Sequence, residues 1–466
     1  MFRAFAYTLW NYASGVSSLK KNPIITGTVI LTATGVISRV IGFFYRIFLS
    51  RNIGEEGMGI YQLLAPVMAL SFSLTAAGIQ TSISKHVAAY EARREHRSSV
   101  SVLMCGLFLS VFLSLAMGFI LFEYSIPISN RFLLEERCAP LVRIYALSLP
   151  FAAVHSCING YYYGLKKTSV PSVTQLIEQL VRVLSVYIIF FYCGKYHLEP
   201  KVSVAVAGLV LGEIVSSLLS VLAITRFYSK SSRKRKHYLP QMPSYHIAGQ
   251  LKPLLMLAIP LSVNRIVLNF LQSIEAIHLP RQLCVFGLTT SQALSIYGVL
   301  TGMALPLILF PQAITGSISV LLLPYVSEAD AKGNPAKISK AVFTTTGFCL
   351  LMGFSATAFF YITGPSLGEL LFHSEEAGLF IRSLSFMCPF LYLGSLLTSI
   401  LNGLNKATHA FFINVLALCI RLSCIFLLVP HIGIKGYLFS LPVSQLAHCF
   451  FNFLALKKYI YYNKRC

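Results

Sequence analysis

The sequence predicts an all-α polytopic membrane protein, with about twelve transmembrane helices in two six-helix bundles related by a parallel repeat. Three observations carry this expectation. Hydrophobic residues make up 56% of the 466 positions and charged residues only 12%, about half the charged fraction of an average soluble domain. Apolar windows of about 20 residues, long enough to cross a bilayer as a helix, recur from end to end. Short motifs of the first half return in the same order in the second.

The chain is organised around Ile24 to Tyr61, an apolar run that nevertheless holds Arg39, with Arg46 two helical turns later on nearly the same face. The first 22 residues lack the continuous apolar core and small-residue cleavage site of a signal peptide. Phe2, Phe5, Ala6 and Leu9 there could line one face of a short interfacial helix. Spans are expected near 24–46, 58–82, 99–122, 140–160, 172–193 and 202–225. A second set follows near 251–275, 295–323, 341–363, 380–401, 408–430 and 434–457. Pro66, Pro150, Pro260, Pro306, Pro311 and Pro442 fall within or near spans, where proline kinks a helix and frees carbonyls. The spans use nearly the whole chain and leave no stretch for a soluble catalytic domain.

The net charge of +22 would suit nucleic acid in a soluble protein. On this apolar background it reads as positive residues facing anionic lipid. Lys85, Arg93, Arg94 and Arg97 follow the second span, Lys166 and Lys167 the fourth, and a run from Ser229 to His237 the sixth. Lys332, Lys337 and Lys340 follow the eighth, and Lys457, Lys458, Lys464 and Arg465 close the chain. The alternate connections carry acids instead, as in Glu55-Glu56, Glu135-Glu136 and Glu375-Glu376. The positive-inside rule then puts both termini in the cytoplasm. The expected organisation is a cytoplasmic segment 1–23, a bundle 24–225, a basic cytoplasmic linker 226–250, a bundle 251–457 and a basic tail 458–466.

The repeat is read from matched pairs. Ser38-Arg39 returns as Asn264-Arg265, and Ile60-Tyr61 as Ile296-Tyr297. Gly164 precedes Arg182 by 18 residues, and Gly403 precedes Arg421 by 18. With six spans per half both halves enter from the same side, and a site is expected between them.

Charges within apolar spans are the candidate functional residues, because a charge at that depth is costly and usually faces a protein interior or cavity. Arg39, Arg182, Arg265 and Arg421 sit in the first, fifth, seventh and eleventh spans. Their guanidinium forks suit an anionic ligand. Arg46 has two readings, a second ligand contact or a side chain reaching the interface. Arg182 has Glu178 four residues earlier on the same face, and an ion pair is the favoured reading there. Glu178, Glu213 and Glu275 are candidates for ion coupling, Glu213 foremost because no cation lies at helical spacing. A structural, hydrogen-bonded glutamate is the competing reading. Asn159, Gln175, Gln179 and Asn264 could contact sugar or join helices.

No catalytic residues or metal site are indicated. The chain has no phosphate-binding Gly-x-x-x-x-Gly-Lys-Ser loop, no His-Glu-x-x-His and no Gly-x-Ser-x-Gly. Its 11 cysteines form neither pairs nor clusters with metal spacing. His155, His278, His373 and His431 are isolated and read as structural.

The block from Ile37 to Arg51, then Gly54 to Tyr61, resembles the stage V sporulation protein B-like polysaccharide exporters, as does Gly160–Lys167 leading to Gln175–Arg182. These belong to the multidrug/oligosaccharidyl-lipid/polysaccharide superfamily, and the similarity runs from about Ile24 through the last span. The resemblance implies two six-helix bundles forming a V around a central cavity. It also implies alternating access and transport of a polyprenyl-pyrophosphate-linked saccharide across the bacterial plasma membrane, in spore cortex or cell-wall formation. Arg39 matches the first arginine of the related lipid II flippases, whereas Tyr45-Arg46 stands where they carry Arg-Asp. That shift favours the sporulation-type branch, some members of which have fourteen spans rather than twelve. Under this reading Arg39, Arg46, Arg182, Arg265 and Arg421 line the cavity against pyrophosphate, with lipid-linked saccharide and membrane lipids as partners and no nucleic acid. No cofactor is implied, and coupling to Na⁺, H⁺ or membrane potential is left open. A multidrug exporter of the same fold and a membrane-embedded glycan polymerase are the alternatives. Arginines rather than acids in the cavity weigh against the first. Against the second, outer loops are short and Asp330 is the only aspartate.

Overall fold

A computed structural model describes residues 23–196, 201–234 and 244–462. The proposed interfacial helix at Phe2–Leu9 and the last three residues of the basic run, 235–237, lie outside them. Helices account for nearly all described residues, and there is no strand among them. In a membrane this is forced, since every backbone N–H and C=O must be satisfied within its own segment.

The first half comprises α1 (Pro23–Leu63), α2 (Ala65–Phe72), α3 (Gly78–Ala92), α4 (His96–Glu123), α5 (Ala139–Ala146), α6 (Leu149–Gly164), α7 (Ser169–Lys195) and α8 (Val202–Lys234). The second comprises α9 (Ser244–Val285), α10 (Thr290–Gly298), α11 (Gln312–Ala331), α12 (Pro335–Leu367), α13 (Glu375–Leu384), α14 (Cys388–Gly403), α15 (Ala407–Leu427) and α16 (Ile434–Tyr462). Among the described residues, ten helical stretches are long and apolar enough to span a membrane, eleven when the bent pair Glu136–Ala146 and Leu149–Gly164 is counted as one span. One of the ten, Ile30–Ala92, is 63 residues long. At 1.5 Å per residue that is about 95 Å, far more than one crossing of a hydrocarbon core of about 30 Å. It breaks at Gly54, where φ is 71° and the helix cannot continue. Counting both sides of the break gives twelve.

Several boundaries differ from expectation. The span expected at 295–323 is interrupted: α10 passes through a wide π-turn at Val299–Ala304 and a short helix ends at Leu309 before Pro311. Proline lacks the N–H that would continue the ladder. The basic linker is also shorter than 226–250, because α8 runs on to Lys234 and α9 already begins at Ser244. Likewise α16 continues to Tyr462, into the expected tail.

The parallel repeat is written into the backbone. Six of the nine described residues with positive φ fall in three pairs, each 239 positions apart: Arg94 with Gly333, Leu134 with His373, and Lys166 with Asn405. Packing repeats with them. α6 lies against α3 and α4 as α14 lies against α11 and α12, and α7 packs on α8 as α15 packs on α16.

Buried apolar side chains form one core shared by both halves near Gly54, including Leu49, Leu63, Leu294, Leu300 and Tyr392. Towards the opposite end the cores are separate. One is built on Ile83, Leu103 and Tyr162 of the first half with Leu254 and Ala258 of α9. The other is built on Val326, Leu397 and Ile400 of the second half. The halves share a core at one end, and at the other α9 joins the core of the first half while that of the second stands apart.

Candidate functional site between the halves

Near Gly54 the halves are fastened closely. A side chain at Gly59 would strike the Leu294 carbonyl, and one at Gly298 the Glu55 carbonyl, so α1 and α10 cross there with backbones in contact. Glu55 accepts hydrogen bonds from Ser374 (2.5 Å) and Ser295 (2.9 Å), both in the second half. Arg51 donates to the carbonyls of Leu370 (2.6 Å) and Leu371 (2.9 Å) at the end of the helix that follows α12. Along a second seam α9 follows α3. Tyr90 donates to Gln250 (2.8 Å), Ser82 to the Leu254 carbonyl (2.9 Å), and Asn269 to Ser73 (2.7 Å).

At the same end Arg137 is paired with Glu56 and with Glu135, both at 2.7 Å. The Arg137 hydrogen bond holds Glu56 below its ordinary value of 4.5. A depressed folded-state pKa stabilises above the unfolded value, and the contribution is lost as pH falls through the folded one. The Glu56→Gln variant should therefore melt below wild type at pH 6, and the two should converge on acidification towards pH ~3. Parallel melting curves across that window would exclude the pair as a stabilising contact.

Three arginines mark the surface where the halves face one another. Arg39 of α1 is exposed, and its guanidinium would stand 3.8 Å from a methyl group placed on Gly316 of α11. Arg46 donates over 3.4 Å to the carbonyl of Thr301 in the π-turn after α10, an acceptor it shares with Gln62. Arg265 of α9 is exposed and reaches Thr81 of α3 at 3.5 Å. Each points from one half to the other. Among the described residues no carboxylate lies within ion-pair distance of any of them. A positive charge at this depth without a counter-ion is electrostatically open to an anion.

The other two arginines sit inside their own halves and are already matched. Arg182 donates to Glu178 at 2.6 Å, within α7. Its repeat counterpart Arg421, on α15, pairs at 2.7 Å with Glu275 on α9, and Tyr437 of α16 donates to the same carboxylate at 2.5 Å. Sequence spacing could suggest the first pair but not the second, whose partners are 146 positions apart. His155 was also missed. It stands between two carboxylates, 3.7 Å from Glu178 and 3.6 Å from Glu213. The five arginines therefore separate into two classes, Arg39, Arg46 and Arg265 unmatched across the interface, Arg182 and Arg421 neutralised within a half.

The fold and this surface define a polytopic membrane protein of transporter architecture, two repeated halves meeting across a basic face. Residues 24–330 match the polysaccharide biosynthesis proteins, and the chain belongs to that family. It is 28% identical over 423 residues to stage V sporulation protein B of Bacillus subtilis, covering 90% of this chain and 80% of that one. It is 22% identical over 476 residues to the lipid II flippase MurJ of the same organism, covering 94% and 84%. Among solved structures it resembles the inward-facing conformation of a multidrug resistance MATE family transporter of the MOP superfamily, with TM-score 0.70, 14% identity and 92% and 96% coverage. It also resembles a MOP superfamily transporter from Pyrococcus furiosus, with TM-score 0.62, 17% identity and 95% and 97% coverage. These two likenesses establish the fold.

Proposed function

We propose that this protein is a flippase for a polyprenyl-pyrophosphate-linked saccharide and not an enzyme, working in the bacterial plasma membrane by alternate parting of the two halves. The observation that carries the reading is the set of unmatched arginines, Arg39, Arg46 and Arg265, each reaching from its own half to the other. A pyrophosphate presents two adjacent anionic groups, and guanidinium forks bind such oxygens bidentately. Bound between the halves, the headgroup would replace water with arginine donors while its lipid tail stays in the bilayer. The relationship to a lipid II flippase supports the same substrate class. By the positive-inside rule, the ends carrying Arg93, Arg94, Lys166 and Lys332 face the cytoplasm and the Gly54 end faces outward.

The fold is equally that of multidrug exporters. A basic shared face disfavours the organic cations such exporters carry, because like charges repel in a low dielectric. Undecaprenyl pyrophosphate should raise the denaturation temperature of the purified protein, and undecaprenol should not. Equal shifts with both would remove the pyrophosphate from the reading.

Alternating access requires the Gly54 end to open. Glu55 holds two second-half serines there, so Glu55→Ala should populate the outward-open form. In a cysteine-free background, a cysteine at position 62, on the shared face, should then react several-fold faster with an impermeant thiol reagent added from outside. An unchanged rate would show that the serine contacts do not hold the gate.

A further inference from the structure

The two halves hold cavities of equal size, about 250 Å³ each, and only the first is lined by carboxylates. His155, Asn159, Gln175, Glu178 and Glu213 are among the residues lining the first, and Asn414, Ala417, Arg421, Gln445 and His448 among those lining the second. Carried through the 239-residue repeat, Gln175 corresponds to Asn414 and Glu178 to Ala417. The second cavity thus lacks the acid on its own α15, and its arginine is neutralised from α9.

We propose that His155, Glu178 and Glu213 form a proton-binding site within the first half, holding one exchangeable proton between two carboxylates that the second cavity lacks. Ligand atoms of the three residues lie within 4.8 Å of one another. Arg182 offsets one of the two carboxylates, which leaves a net charge of −1 when the imidazole is neutral. One proton on His155 brings the cluster to neutrality and places an imidazolium between both acids. The side chain of Asn159 is 7% exposed, and its carbonyl oxygen, in the same cavity, has no hydrogen-bond partner. One oxygen of Glu213 is unpartnered as well. Such buried acceptors mark a site built for an added donor.

An alkali ion fits less well, since it prefers oxygen ligands throughout, whereas here it would meet a ring nitrogen and the Arg182 guanidinium. Of the remaining groups facing the cluster, Ser216 of α8 lies 3.1 Å from both ring nitrogens of His155. Tyr163 of α6 lines the cavity, Tyr45 of α1 lies within electrostatic reach of Arg182, and Tyr145 of α5 within reach of Glu213. Phe72 and Gln80, from the α2–α3 segment, are uncharged.

The proposal rests on the transporter reading for its purpose, coupling, but its test does not require transport. In protein carrying ¹³C-labelled histidine, the His155 resonance is assigned by its loss in His155→Gln and followed from pH 5 to 9. Its midpoint should fall in Glu178→Gln and in Glu213→Gln, each of which removes one of the two acids beside the ring. Replacing choline chloride by sodium chloride at fixed pH should leave it in place. A His155 resonance that does not titrate between pH 5 and 9 in the wild-type protein would overturn the proposal, whether or not the variants fold. So would a midpoint unmoved by Glu213→Gln, or one displaced by sodium. If saccharide transport is then found, an imposed pH gradient should alter its rate in wild type and not in Glu213→Gln. A rate indifferent to the gradient in both would overturn the coupling role while leaving the flippase reading intact.

Discussion

Arg39→Ala and Arg265→Ala are each expected to bind a polyprenyl pyrophosphate about 10- to 100-fold more weakly than wild type while inserting and folding normally. Removing a hydrogen-bonding charge from an ionic contact costs about 1.5–3 kcal/mol, which is the origin of that range. Folding should be untouched because both side chains are exposed and neither holds an acid in this structure. One arginine is on α1 and the other on α9, so both halves lose a grip on the same ligand. The double variant should lose transport altogether. Arg39→Lys should recover only part of the affinity, since an ammonium offers charge without the planar fork. Titration of the purified variants with undecaprenyl pyrophosphate measures this directly. Affinities equal to wild type in both single variants would remove these arginines from the binding site.

The second large effect is on stability and comes from the buried pair in the other half. Glu275→Ala leaves Arg421 without its carboxylate in a cavity where that arginine is only 16% exposed. Stranding one partner of a buried ion pair costs about 3–5 kcal/mol. Tyr437 loses its acceptor as well. A fall in denaturation temperature of roughly 5 °C or more follows. Combining Glu275→Leu with Arg421→Met should recover most of the loss, because apolar groups of similar volume need no counter-charge. Heating of detergent-solubilised variants, followed by the monodisperse fraction, distinguishes the cases. A double variant as unstable as Glu275→Ala would mean that the helices α9, α15 and α16 depend on the polar network itself.

The contrast between these arginines shows which features the sequence could convey. Hydropathy alone places nearly every span, because a bilayer imposes length and composition on each helix separately. The repeat is legible too, since Gly164 to Arg182 and Gly403 to Arg421 keep one spacing and the turns at Lys166 and Asn405 share one backbone shape. The Arg182–Glu178 pair follows from a helical interval. Contacts between distant helices carry no such interval. Glu275 reaches Arg421 only because α9 packs on α15. His155, isolated in sequence, meets Glu178 and Glu213 only because α6, α7 and α8 pack together. The break at Gly54 falls between two expected spans, whereas the one at Pro311 had a local signal that was outweighed by the apolar run around it.

The central claim, that a lipid-linked saccharide crosses between the halves against Arg39, Arg46 and Arg265, is tested most directly in proteoliposomes. Fluorescent lipid II is incorporated with purified protein, and an enzyme added outside reports how much headgroup becomes accessible with time. Accessibility beyond the starting outer-leaflet share, dependent on the protein and lost in the Arg39→Ala and Arg265→Ala double variant, is the predicted result. Headgroups that stay protected, with lipid II and with other polyprenyl-pyrophosphate saccharides alike, or movement that persists undiminished in the double variant, would contradict it.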